Sequence, residues 1–169
     1  NVSDNLKDIH EPYNYKDRHY PSLDTLKPDI IIVGSSAYNV YDPHDVNKHW
    51  LEYTRLVQEA QTITPHVYML AEPAPLGSGF GLSEKGVVWE PNNAWIHTGH
   101  IVEQLKNVLG LSKTLNIPVV DAYTESLDEN GQRGKREFID ASDNIHLSDV
   151  GKAFLARKIV ETVNFEMVR

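Results

Sequence analysis

Apolar positions along the chain follow two kinds of spacing. "DIIIVG" (residues 29–34) is an unbroken apolar run of β-branched residues closed by a glycine, which predicts a strand buried on both faces, central in a parallel sheet. In "DPHDVNKHWLEYTRLVQEAQ" the residues Val46, Trp50, Tyr53, Val57 and Ala60 recur at steps of four, three, four and three after an Asp-Pro start signal. That spacing predicts an amphipathic helix. "HVYMLAEPAP" (66–75) reads as a second apolar strand, stopped by Pro73 and Pro75. From Leu76 to Pro91 four glycines interrupt any period and predict a long surface loop, a length that usually signals function. A helical pattern returns from Asn93 to about Leu115 (Ile101, Val102, Leu105, Val108, Leu109), and "IPVVDAY" gives a third strand ending at Asp121. "ESLDENGQRGKREF" is a turn-rich excursion. A last helix, about Ser148 to Val163, would bury Val150, Phe154, Ile159 and Val163. Residues 1 to 28 show no period and read mostly as loop, with a short helical turn near Asn5.

Strands alternating with helices imply right-handed crossovers and a parallel sheet covered on both faces. The expected fold is therefore α/β, a three-layer α/β/α sandwich of flavodoxin-like architecture, with residues 1–169 forming one domain. In such sheets ligands collect at the carboxyl ends of the strands. Four features fall there: "GSSAYN" after the first strand, "EPAP" and its loop after the second, Asp121 after the third, and Asp143 with His146 before the last helix.

Composition narrows the functional classes. With 24 acidic against 16 basic residues the formal charge is −8, which repels phosphate backbones and argues against nucleic acid as a partner. No apolar run approaches the roughly 18 residues of a membrane span, so a soluble chain is expected. The absence of cysteine removes disulfides, Cys-zinc sites and a thiol nucleophile, yet leaves the compartment open, export included. No cofactor is implied.

The Asp143-x-x-His146 spacing has a bland reading, in which Asp143 and Ser148 start a helix and His146 is a surface side chain. Its chemical reading is a base and its orienting carboxylate. Attack by a hydroxyl on a carbonyl needs a group to take the hydroxyl proton, a carboxylate to hold that group in the correct tautomer, and donors aimed at the developing oxyanion. Histidine suits the first role because it ordinarily titrates near neutrality.

The run Asp143, Asn144, Ile145, His146, Leu147, Ser148, Asp149, Val150, Gly151 resembles the last block of the SGNH hydrolases, also called GDSL-like esterases. "PDIIIVGSSAYN" is similar, in part, to their G-x-N-D block, and the order of later elements matches theirs over about residues 28 to 163. The resemblance implies a serine esterase or O-acyltransferase acting on a small or carbohydrate-linked acyl (acetyl) ester, with His146 as base and Asp143 as its partner. Gly34 matches the third block; Ser36 stands at the oxyanion asparagine and Ala37 at the aspartate, with Asn39 near enough to substitute as a donor. The Gly-Asp-Ser block that carries the family's nucleophile has no match upstream of Pro28. Three readings stay open: a chain lacking its N-terminal nucleophile segment, Ser36 itself as nucleophile in a Gly-Ser-Ser version of that block, or Ser3. A catalytically silent SGNH-like binding domain is the alternative function. A flavodoxin-like domain outside the family is disfavoured, since no phosphate-cradling glycine loop follows a strand.

The remaining histidines read as surface residues. His97 and His100 stand three apart, as metal ligands can, but no third ligand lies at a recognisable spacing, so no metal is expected. Trp50, Trp89 and Trp95 read as packing residues, with Trp89 in the long loop the best placed to be a sugar platform. Asp121 reads as the cap of the following turn.

Overall fold

The structure, a computed structural model, describes residues 9–167. A short hairpin, β1 (Tyr13–Tyr15) with β2 (Arg18–Tyr20), and a single-turn helix α1 (Leu23–Leu26) come first. The hairpin was not legible as such, because "YNYKDRHY" has no apolar alternation and β2 is exposed throughout; Asn5 lies outside the described residues. There follow β3 (Ile31–Gly34), α2 (Val46–Ile63), β4 (Val67–Ala71), α3 (Pro91–Leu115), β5 (Val119–Asp121), a one-turn helix α4 (Tyr123–Ser126) and α5 (Asp149–Thr162).

Strands β3, β4 and β5 form a parallel sheet in that order, with Ile31 opposite Val67 and Met69 opposite Val119. Because the sheet grows in one direction, both right-handed crossovers place their helices on the same face. Alternate strand residues therefore divide cleanly. Ile31, Val33, Val67, Met69, Ala71 and Val119 pack against Tyr53, Val57 and Ala60 of α2 and Ile101, Leu105 and Val108 of α3. Ile30, Ile32, Tyr68, Leu70 and Val120 face the other way, onto Ile159 and Val163 around α5. The fold is thus the three-layer α/β/α sandwich.

Three expectations change. The strand "DIIIVG" is covered on both faces as its composition requires, yet it lies at the edge of this sheet and β4 is the central strand. On α2 the buried stripe runs through His49, Tyr53, Leu56, Val57 and Ala60, with Val46 and Trp50 only half-buried. The stripe begins at His49 because that imidazole finds partners inside the domain. On α5 Val150 is 56% exposed, while Gly151 and Phe154 are buried. Here the helix approaches its neighbour so closely that a Cβ on Gly151 would lie 2.1 Å from Phe138 O.

Candidate active site

The segment Asp140–Ser148 forms a closed turn at the carboxyl end of the sheet. Asp140 N donates to His146 O at 2.8 Å, Asn144 N donates to Asp140 O at 2.9 Å, and Ile139 bridges Leu147. Ser148 caps α5, its hydroxyl accepting from Gly151 N at 3.1 Å and donating to Glu137 O. Within this frame one Asp143 oxygen accepts the amides of Ile145 (2.8 Å) and His146 (3.0 Å), and the other meets His146 Nδ1 at 2.5 Å. Partial burial pushes the Asp143 carboxyl up, but the hydrogen bonds from the His146 ring and the two amides outweigh it and hold the group down to about 2. An ionised carboxylate only accepts. Nδ1 therefore carries the proton, so the neutral form of the ring has its lone pair on Nε2; the His146 side chain is 79% exposed and that of Asp143 16%. That is the tautomer a general base requires.

The long loop between β4 and α3 supports this turn from outside. Gly81 N donates to Asn144 O (3.1 Å), Asn144 Nδ2 to Leu82 O (2.8 Å), and Ser83 Oγ to Ser142 O (2.6 Å). Gly86 packs where a Cβ would meet Gly81 O at 2.1 Å and Asp143 O at 2.7 Å, so only glycine allows the approach.

Across the edge, the turn after β3 is pinned from the helix side. Tyr53 donates its hydroxyl to Val33 O (2.7 Å), and Gln104 Nε2 donates to Ser36 O (3.0 Å). His49 lies buried with Nε2 3.0 Å from Ser35 O and Nδ1 3.3 Å from Asn107 Nδ2. The Asn107 amide can only donate, so Nε2 carries the proton that Ser35 O accepts; burial lowers the affinity of this imidazole for a second one. Glu72, just past β4, lies half-buried beside the same turn. It accepts the Ser35 amide (3.1 and 3.3 Å) and the Ser35 hydroxyl, and that hydroxyl accepts from Ala37 N (3.1 Å). Burial pushes the Glu72 carboxyl up, against the Ser35 hydrogen bonds that favour its ionised form.

These contacts fix Ser36 in the left-handed region, at φ 57°. A trans peptide is planar with C=O and N–H opposed, so anchoring Ser35 O toward α2 turns the Ser36 N–H to the other side. Asn39 N closes the turn on Ser36 O at 2.9 Å. Gly34 ends β3 where a Cβ would lie 2.9 Å from Glu72 Oε1. Gly34, Ser36 and Asn39 thus share one tight turn. Tyr38 joins it to the Asp143–His146 turn, its hydroxyl donating to Ile145 O at 3.3 Å. Enclosure of that hydroxyl, with the charges of Glu72 and Asp143 nearby, pushes it up to about 12.

Glu72, Ser35, His49, Gln104 and Tyr38 were missed as site residues. Glu72 alone left a signal, a carboxylate between an apolar strand and two prolines. Asp121 is not drawn into the site; its carboxylate accepts the Thr124 amide (2.9 Å) and hydroxyl (2.6 Å). Ser3 lies outside the described residues.

No family model matches the sequence, and no curated protein is significantly similar to it. Solved structures are similar in fold. A lipase/acylhydrolase from Enterococcus faecalis superposes with a TM-score of 0.64 at 20% identity, over 95% of this chain and 68% of that one. A GDSL-like lipase from Bacteroides thetaiotaomicron gives 0.61 at 12% identity over 80% and 62% of the two chains. An acetyl xylan esterase gives 0.54 at 19% identity over 81% and 68%. The fold is that of the GDSL-like hydrolases. This chain spans about two thirds of the length of each of these three structures. No helix among the described residues is long and apolar enough to cross a membrane.

Proposed function

We propose that the protein is a serine ester hydrolase or O-acyltransferase acting on acyl esters, acetyl esters of carbohydrates among them. The observation that carries this reading is the Asp143–His146 pair, in which the carboxylate holds Nδ1 of an exposed imidazole. The likeness in fold to lipases, acylhydrolases and an acetyl xylan esterase supports it. A serine oxygen attacks the ester carbonyl as Nε2 takes its proton, and Asp143 stabilises the imidazolium. The oxyanion is met by donors of the Gly34–Asn39 turn, with the Ser36 amide and hydroxyl foremost. Collapse expels the alcohol with the proton returned from His146. Water or an acceptor alcohol then attacks the acyl-serine by the same base.

In this reading the nucleophilic serine comes from outside residues 9–167, on a strand that pairs with the open edge of β3. A strand covered on both faces yet paired along one edge in the described sheet presents a row of backbone groups suited to such an addition. A second reading makes Ser36 the nucleophile, favoured by its left-handed backbone at the sharp end of a strand.

Treatment with a serine-directed fluorophosphonate, with the adduct mapped by mass, tests both. It should be run on this chain and on one extended upstream. An adduct in the added upstream segment supports the first reading, and one on Ser36 or on Ser3 moves the role there. No adduct on either folded protein overturns the enzyme in favour of a silent binding domain.

A further inference from the structure

The stripe Asn93, Ile96, His97 and His100 on the first turns of α3 is spaced i, i+3, i+4, i+7 and so occupies one helix face. It is not the core face, which runs through Ala94, Thr98, Ile101 and Leu105. With Trp89 from the end of the long loop it walls a cavity of about 250 Å³. The cavity is joined to the candidate active site through aromatic contacts. Trp89 meets His97 edge-on at 4.4 Å between ring centres, both rings lie against Phe80 (6.1 and 5.7 Å), and Phe80 stacks on Tyr38 at 6.0 Å. Tyr38 in turn bonds the residue beside His146.

The lining has a definite chemistry. It offers an indole, an aliphatic side chain, a carboxamide and two imidazoles, and no carboxylate, lysine or arginine. Burial and mutual proximity lower the proton affinity of His97, and burial and the neighbouring His44 that of His100. His100 is stacked flat on His44 at 3.9 Å, and His44 is bonded to Glu103 at 2.6 Å. Neutral imidazoles both donate and accept, which suits hydroxyl groups, and the lining holds no full positive charge to favour an anion. Among the described residues no three His, Asp or Glu side chains are grouped so as to hold a metal ion. The volume lies below the roughly 300–1,000 Å³ of sites for drug-sized ligands, at the scale of a single ring with its substituents.

From this we infer that the cavity walled by Trp89, Asn93, Ile96, His97 and His100 is a binding subsite for one neutral pyranose ring of the substrate's alcohol portion. This rests on the ester-processing reading above for its place in catalysis, although binding itself does not require it. Trp89 and Ile96 supply apolar surface to the ring's C–H groups, and Asn93, His97 and His100 exchange hydrogen bonds with its hydroxyls.

The test is a titration of the whole chain with xylotriose, cellotriose and, separately, decanoate, followed by tryptophan emission and calorimetry. A saturable response to a neutral oligosaccharide, weakened at least tenfold in both Trp89→Ala and Asn93→Ala, is expected. Asn93 is exposed, so its replacement keeps a folded control should Trp89→Ala unfold. No saturation by either sugar, saturation by decanoate alone, or sugar binding unchanged in Asn93→Ala would each overturn the assignment. Measuring acetyl-ester turnover of the unaltered protein, with and without the upstream extension, alongside the titration separates this inference from the catalytic one: sugar binding by a protein that cleaves no ester leaves the subsite standing and the enzyme reading fallen, whereas turnover without sugar binding does the reverse.

Discussion

The buried Ser35 gives both its amide and its hydroxyl to the half-buried Glu72, so the loop after β3 is anchored on the strand beside it. Ala37, at the aspartate position of the resembled block, has no side-chain acceptor, and Glu72 supplies one to this turn from β4's end. A full negative charge here would oppose an oxyanion forming a few residues away. Burial favours the neutral carboxyl and reduces that conflict.

A stability prediction follows from the sign of that shift. The folded state holds the Glu72 proton more tightly than the unfolded chain, so folding stability falls as pH rises from the ordinary glutamate range through the raised value. Glu72→Gln removes this titration. Thermal unfolding of the two proteins between about pH 4 and 8 should show the wild type losing stability relative to the variant as pH increases. A constant difference across the range would mean that Glu72 does not titrate with folding.

Asp143 has the opposite sign. Its carboxyl is held down to about 2, so its contribution is present above the unfolded value near 4 and is lost as pH falls through about 2. In Asp143→Asn the amide can donate to His146 and select the wrong tautomer; turnover of an acetyl ester should drop by about 10⁴-fold. His146→Ala should abolish turnover with little change in unfolding temperature, because its side chain is 79% exposed. Loss of folding in that variant would return His146 to a structural role.

How much of this was legible depends on which force placed each residue. The strands β3, β4 and β5 and the helices between them followed from apolar runs and periods, since burial dictates both. Asp143 and His146 were legible because three residues of one turn bring them together. His49 read as surface, and nothing local betrays that its ring is satisfied by Ser35 O and Asn107, 14 and 58 residues away. Glu72 and Gln104 act on the β3 turn through contacts 37 and 68 residues apart in sequence. The edge position of β3 was equally hidden, because facial coverage sets composition and lateral pairing does not.

Gly151 offers a contest between local and tertiary terms. Alanine is favoured over glycine inside a helix by about 1 kcal/mol, yet its Cβ here would sit 2.1 Å from Phe138 O. Backbone cannot yield as a side-chain tip can, and overpacking typically costs about 1–3 kcal/mol. Gly151→Ala should therefore lower stability, and it should disturb the turn that carries His146, which is bonded to the same Phe138 carbonyl through Ser148 N at 2.9 Å. Denaturant unfolding gives the sign directly; a stabilised variant would show that α5 can shift without cost.

Ser36 is where the two readings of the nucleophile part. If its amide and hydroxyl serve the oxyanion, Ser36→Ala removes only the side-chain donor, and turnover should fall by about 10²- to 10³-fold, less if Asn39 or the Gly34 amide shares the load. In the upstream-extended protein the fluorophosphonate would still react, because the nucleophile lies elsewhere. If Ser36 attacks the ester itself, the same substitution deletes the covalent step and all labelling with it. The backbone at φ 57° is left-handed, a conformation alanine adopts at a cost of about 1–2 kcal/mol, so unfolding must be measured alongside. Ser36→Gly relieves that strain while removing the hydroxyl. Equal losses of turnover in the alanine and glycine variants, with labelling intact in both, assign Ser36 to the oxyanion side. Loss of labelling in the glycine variant, folded and unstrained, would assign it the attack.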